Sequence, residues 1–224
     1  MLENQKKEIL FGCLLGDASL QTYTGGKSWR ARFIQGENHK EYLFHLYDIF
    51  KDWVKTPPRC ITDKHGSTRW YFNTIVQEEL LFMAKYFYSK NSINGGAPTR
   101  SEDLQPLIEN TLLSRFPQKK IKVIPPLPFL EEYLTPRALA YWFMDDGSLK
   151  INASAYYLCT DHFNLKELKV IHGYLKNRYG WELAYHKKGK SYRLYIPVRF
   201  SSSFRETIEK YVHPSMYYKL FRKI

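Results

Sequence analysis

Leu10-Phe11-Gly12-Cys13-Leu14-Leu15-Gly16-Asp17-Ala18 is answered further along the chain by Leu139-Ala140-Tyr141-Trp142-Phe143-Met144-Asp145-Asp146-Gly147. Each stretch is an apolar run with an Asp in its next-to-last place, and both read as helices. One such run alone is as well explained by a buried helix whose terminal Asp opens a turn. Two copies ask for more. Gly12 and Gly16, four residues apart, clear one helix face of side chains and let a second helix approach closely. Helices packed in this way bring their ends together and set one Asp beside the other. A buried carboxylate pair is costly unless cations neutralise it, and a divalent metal is the natural solution.

Outward from these runs the chain reads twice through one order of elements. A helix at Lys6 to Gly16 leads into strand-like segments Ser19 to Thr24 and Trp29 to Gln35 around Gly25-Gly26. A helix follows from His39 to Trp53, then a hairpin of Arg59 to Lys64 and Arg69 to Asn73, then a helix from Val76 to Tyr88. The order returns with a helix from Pro136 to Asp145, capped by Thr135 with Pro136 in its first position. Strands Ser148 to Asn152 and Ala155 to Asp161, a helix Leu165 to Tyr179, a hairpin of Glu182 to Lys187 and Ser191 to Pro197, and a helix Ser202 to Val212 complete it. Between the halves, residues 91–134 hold Gly95-Gly96 and six prolines and read as a linker with one helix, Pro106 to Phe116. The expected fold is α/β (α+β): two pseudo-symmetric αββαββα units, 1–90 and 135–224, with antiparallel sheets.

The 224 residues suffice for one large or two small cores, and 44% hydrophobic residues with 17% aromatics exclude a disordered chain. The net charge of +12 suits a polyanionic partner, because Lys and Arg displace counterions from phosphates. From Lys150 onward there are 15 Lys and Arg against 5 Asp and Glu, so most of the excess lies in the last third. Cys13, Cys60 and Cys159 show neither disulfide nor zinc spacing, which fits a reducing compartment. No apolar run approaches a membrane span, and the N-terminus lacks a targeting pattern.

The two runs resemble the signature of the LAGLIDADG homing endonucleases. The second matches at Leu139, Ala140, Asp146 and Gly147; the first keeps Leu10, Gly12 and Asp17 and departs at Ala18, where the signature has Gly. The lead-in Tyr133-Leu134-Thr135-Pro136 and the ending Pro214-Ser215-Met216-Tyr217-Tyr218-Lys219-Leu220 also look like single-chain members with two motifs. The resemblance implies a monomer with pseudo-twofold symmetry, saddle-shaped sheets, and motif helices packed at the interface between units. It implies that Asp17 and Asp146 bind Mg²⁺, for which Mn²⁺ substitutes, with the backbone carbonyls of Gly16 and Asp145 as further ligands. The metal would stabilise charge on the phosphate and the leaving 3′ oxygen while water attacks. Gln35 resembles the residue that positions solvent, with Asp161 as its expected repeat equivalent, and Lys122 and Lys190 fall at the best-matching places for a lysine beside each site. The unequal Gln35 and Asp161 suggest half-sites that are cut unequally.

Strands alternate faces, so one face can cover the core while the other enters the major groove of double-stranded DNA. Arg30 with Arg32, Arg69 with Tyr71, Lys150 with Asn152 and Arg193 with Tyr195 each share a face by that alternation. Arg59, Lys64, Lys187, Lys188 and Lys190 add charge at strand ends and turns. The family resemblance also leaves open an RNA maturase acting on intron RNA and a catalytically inactive DNA-binding regulator. It implies an organellar protein, mitochondrial or chloroplast, translated in place.

Overall fold

A computed structural model describes residues 3–88, 122–150 and 154–221. The expected helix at 106–116 and Asn152 lie outside these residues. The first unit is α1 (Glu3–Leu15), β1 (Ser19–Gln21), β2 (Arg30–Gly36), α2 (Lys40–Ile49), β3 (Arg59–Thr62), β4 (Thr68–Asn73) and α3 (Glu78–Phe87). A helix α4 (Leu127–Tyr133) precedes the second unit of α5 (Pro136–Asp146), β5 (Gly147–Lys150), β6 (Ala155–Leu158), α6 (Leu165–Tyr179), β7 (Ala184–Lys188), β8 (Ser191–Ile196) and α7 (Val198–Ile208). A 3₁₀ turn at Pro214–Lys219 follows. Each unit carries one four-stranded antiparallel sheet, in the orders β1-β2-β4-β3 and β5-β6-β8-β7. The two orders are the same walk through the sheet, and the αββαββα repeat is present in both.

Local signals account for most boundaries. Thr135 Oγ1 accepts from the Ala138 amide at the start of α5, with Pro136 where its missing N–H costs nothing. Asn164 and Glu167 form a reciprocal capping box on α6, and Gly180 ends that helix at φ 72°, a left-handed conformation that glycine adopts without penalty. α4 lies within the stretch read from sequence as linker. Its prolines misled that reading: Pro126 is the N-cap and Pro128 sits in the first turn, where no intrahelical N–H is required. Phe129 of α4 stacks on Tyr86 at 4.1 Å and meets Phe11 at 5.7 Å, tying the stretch to both α3 and α1. The last helix begins at Val198, four residues before the expected Ser202, directly after Pro197.

The two motif helices form the centre of the core. Leu10, Phe11, Leu14 and Leu15 of α1 and Leu139, Ala140, Trp142 and Phe143 of α5 are fully buried. Burial all round is what makes these runs apolar on every face. The inner sheet faces cover them with Ala31, Phe33 and Phe72 from one unit and Tyr156, Leu158, Leu194 and Ile196 from the other. No described helix is long and apolar enough to cross a membrane.

Candidate active site

α1 and α5 cross in close contact and end at one place. Near their starts, Glu8 Oε2 accepts from Thr135 Oγ1 at 2.9 Å and from Arg137 Nη1 at 3.0 Å. Further along, a Cβ on Gly12 would fall 2.1 Å from the Ala138 carbonyl oxygen, so a larger residue here would force the backbones apart. At the ends, a Cβ on Gly16 would stand 2.4 Å from the Asp145 Cβ, and the Asp17 amide donates to Asp145 Oδ2 at 3.2 Å. Gly16 and Asp145 occupy the same place in their motifs, and they face each other. One has no side chain; the other fills the space.

Three carboxyl groups therefore gather at the helix ends. Asp17 is exposed, while Asp145 and Asp146 are half-buried. Burial, then the charges of Asp17 and Asp146, push the Asp145 carboxyl well above the usual range. Burial and Asp17 push Asp146 up to about 7, against the lowering effect of Lys122 and Lys219. The Gln35 amide, on the inner face of β2, bridges the group: its Nε2 donates to Asp17 Oδ2 at 3.1 Å and to Asp145 Oδ1 at 3.0 Å. Gln35 Oε1 faces His39 Nδ1 at 3.3 Å, and His39 Nε2 meets the Tyr218 hydroxyl at 2.8 Å.

Two lysines, Lys219 buried and Lys122 half-buried, close the helix ends. Lys122 Nζ donates to the carbonyls of Leu14, Gly16 and Ala18 at 2.9, 2.5 and 3.0 Å. Lys219 Nζ donates to those of Met144 and Asp145 at 2.5 and 2.9 Å. Cations at a helix C-terminus satisfy its orphan carbonyls and complement its dipole. Burial lowers the pKa of both amines, opposed by the surrounding carboxylates. The lysine that matches Lys122 in the second unit is thus Lys219. The expected Lys190 lies exposed in the β7–β8 turn, with its nearest secondary structure at the hairpin tip.

The carbonyls of Gly16 and Asp145, expected as metal ligands, accept from these lysines. Among the described residues no three His, Cys, Asp or Glu side chains are grouped as a metal cage. The donor chemistry nevertheless fits a hard divalent cation, which takes one or two carboxylates and completes its shell with water and phosphate oxygens. Burial and then the Asp17 charge raise the proton affinity of Asp146, and a cation between the two carboxylates would relieve the repulsive part.

Strand register corrects the repeat equivalent of Gln35. Ser19 pairs with Arg32 and Ser148 with Tyr157. Three residues on, Gln35 therefore corresponds to Thr160, whose hydroxyl donates to the Tyr192 carbonyl at 2.9 Å. Asp161 is one residue further. It is bound instead by Arg193, through Nε at 3.0 Å and Nη2 at 2.6 Å, with Lys188 at 3.8 Å.

On the outer face of the first sheet, register places Arg30, Arg32, Arg59, Arg69, Tyr71 and Asn73 together. Arg30 donates to Gln21 Oε1 at 3.1 Å, and the Arg32 guanidinium lies over the Tyr71 ring at 4.4 Å. Arg69 faces Asp63 at 3.6 Å, and Lys64 stands exposed in the adjoining turn. The outer face of the second sheet is more aromatic. Tyr195 stacks on His186 at 4.3 Å, meets Tyr157 at 5.2 Å, and has Lys150 above it at 5.2 Å. Arg193 shares that face but is held by Asp161, while Lys187 pairs with Tyr192 in the inner register and is exposed at the hairpin end.

A model of the LAGLIDADG DNA endonuclease family matches residues 7–99 and 103–204. This chain belongs to that family. Among its LAGLIDADG relatives, DNA endonuclease I-ChuI of Chlamydomonas applanata is 35% identical over 234 residues, covering 98% of this chain and 95% of its own. Cytochrome b mRNA maturase bI2 of Debaryomyces hansenii is 29% identical, covering 98% of this chain and 74% of its own. The homing endonuclease I-WcaI, solved bound to its DNA recognition sequence, has the same fold, with a TM-score of 0.77 at 22% identity over 100% of this chain and 89% of its own. In this architecture each motif supplies one of the two helix ends that meet at the carboxyl cluster. Lys219, His39, Tyr218 and the side chain of Asp145 complete that site here and were not singled out as such by the sequence. Only the ending Pro214 to Leu220 carried a signal for two of them.

Proposed function

We propose that this LAGLIDADG chain is a monomeric, site-specific homing endonuclease that makes a double-strand break with 3′ overhangs at a long DNA target, promoting mobility of the intron that encodes it. The observation that supports this most directly is the convergence of Asp17 and Asp146, from two copies of one motif, beside the carboxyl of Asp145 and two lysines. Asp17 and Asp146 are the residues to hold Mg²⁺, or Mn²⁺ in its place. Bound there, the cation supplies Lewis-acid stabilisation of developing charge and a more acidic water.

The chain's own groups divide the remaining work. Lys122 and Lys219 fix the two helix ends and bring positive charge toward the phosphates. Gln35 restrains the Asp17 carboxylate and presents an amide beside it. Arg30, Arg32, Arg59, Arg69, Tyr71 and Lys64 on one sheet, and Lys150, Arg193, Tyr195, Lys187 and Lys188 on the other, are the side chains we assign to DNA. Arginine suits bidentate contact with guanine, whereas lysines at hairpin ends hold phosphates. The cytochrome b mRNA maturase relative supports an organellar home, mitochondrial or chloroplast. The maturase relative favours a second reading, in which the same basic surface assists folding of intron RNA.

Incubation with a random double-stranded library and Mg²⁺, followed by sequencing of cut ends, tests the proposal. We expect enrichment of one long site, linearisation of a plasmid carrying it, and loss of that linearisation in Asp17→Asn and Asp146→Asn with DNA binding retained. Linearisation that persists in both variants would overturn the assigned roles. No cleavage by the unaltered chain, together with tight binding of its intron RNA, would favour the maturase.

A further inference from the structure

The Gln35 amide turns its two ends to different partners. Its NH₂ group faces Asp17 and Asp145, and its Oε1 faces His39. Oε1 can only accept, which places the His39 proton on Nδ1. In the neutral ring Nε2 is then an acceptor, and the Tyr218 hydroxyl donates to it at 2.8 Å. Tyr218 to His39 to Gln35 to Asp17 is thus one directed chain of hydrogen bonds. It starts in the second unit's terminal 3₁₀ turn and finishes on a carboxylate of the first unit's motif.

The corresponding residues of the other half are engaged differently. Thr160, in the register of Gln35, is bonded to the Tyr192 carbonyl. Asn164, in the register of His39, caps α6 by accepting from the amides of Lys166 and Glu167. The terminal turn still reaches this half, because Lys219, next to Tyr218, binds the Met144 and Asp145 carbonyls. A single short turn therefore touches both halves by different means.

We propose that His39 and Tyr218 are positioning residues that lock Gln35 onto Asp17, so that the terminal turn sets the reactivity of the Asp17 half-site independently of the Asp146 half-site. This rests on the endonuclease reading above. Without Tyr218, the His39 ring is free to change tautomer or turn, and Gln35 loses the donor that fixes its amide. The carboxylate it restrains is then less well placed. Supporting groups of this kind are worth about 10- to 100-fold in activity.

The test follows each strand separately on an end-labelled target with saturating protein, using Asp17→Asn to identify the strand that depends on Asp17. His39→Ala should slow that strand about 10-fold or more relative to the other, so that a nicked intermediate builds up. Tyr218→Phe should do the same to a smaller degree. His39→Asn, whose amide mimics the Nδ1 donor, should recover part of the loss. In metal-free protein without DNA, the side-chain amide resonances of Gln35 should move in Tyr218→Phe. Equal slowing of both strands, unchanged rates, or weaker DNA binding with unchanged rates at saturation would overturn the proposal, as would Gln35 amide resonances that do not move. If the unaltered chain cuts neither strand, the endonuclease reading fails, and the metal-free resonances still decide whether Tyr218 positions Gln35.

Discussion

Lysines 122, 190 and 219 carry the same charge but stand in very different surroundings. Lys122 and Lys219 are packed against helix-end carbonyls, whereas Lys190 stands in solvent at a hairpin turn. Replacing Lys219 by Met leaves the Met144 and Asp145 carbonyls without their donor, at a cost of about 1–3 kcal/mol for such buried groups. We expect Lys219→Met to lower the melting temperature of metal-free protein and to slow cleavage. Lys190→Met should leave both the melting temperature and the single-turnover rate at saturating protein unchanged, and a larger loss in Lys190→Met than in Lys219→Met would reverse these roles. The motif carboxylates were legible in the sequence because a repeated nine-residue pattern fixes their places. The second lysine was not, since 75 residues separate Lys219 from its partner Met144 and only the closed fold joins them. Thr160 was missed for a different reason: a strand's faces alternate, so an offset of one residue exchanged an inward hydroxyl for the Arg193-bound Asp161.

Among elements, the crossing of α1 and α5 bears most on the site. Gly12 lies against backbone rather than against a side chain that could turn away. Gly12→Ala should therefore cost about 1–3 kcal/mol, as overpacking does, by forcing the helices apart. Chemical denaturation measures it, and Gly173→Ala serves as a control because a Cβ there meets nothing within 4 Å. A Gly12→Ala protein as stable as the parent would mean that the helices separate to admit the methyl group at no cost. Helices with periodic apolar residues and strands flanked by Gly turns were readable from the chain. α4 was hidden, because prolines signal a break almost everywhere except in a helix's first turn. The start of α7 was hidden by the same effect after Pro197.

At the scale of the molecule, the units are also joined away from the carboxylates. His45 Nε2 of α2 meets the Tyr141 hydroxyl of α5 at 2.8 Å, with the His213 ring 4.6 Å away. Burial, then His213, lowers the pKa of His45 to about 4, and burial lowers that of His213. An unfolded histidine titrates near 6.5. The unfolded chain thus binds more protons between these values, so this contact's contribution is complete above about 6.5 and is lost as the pH falls toward 4. Allowing for solvent screening of half-buried rings, the loss should be about 1–2 kcal/mol. Melting curves of metal-free protein from pH 7 to pH 4 should show it, and His45→Gln should flatten part of the slope. A parallel slope in that variant would assign the acid sensitivity to other groups.

The facing pair Gly16 and Asp145 has a consequence for recombination between relatives. The halves of this molecule are complementary rather than interchangeable. A symmetric dimer assembled from two copies of the first unit would oppose glycine to glycine and leave a void. One assembled from two copies of the second would press two carboxylates into room for one. Chimaeras that exchange one half for another, made to combine DNA specificities, should then assemble only when the incoming half brings the matching small or acidic partner at this single position.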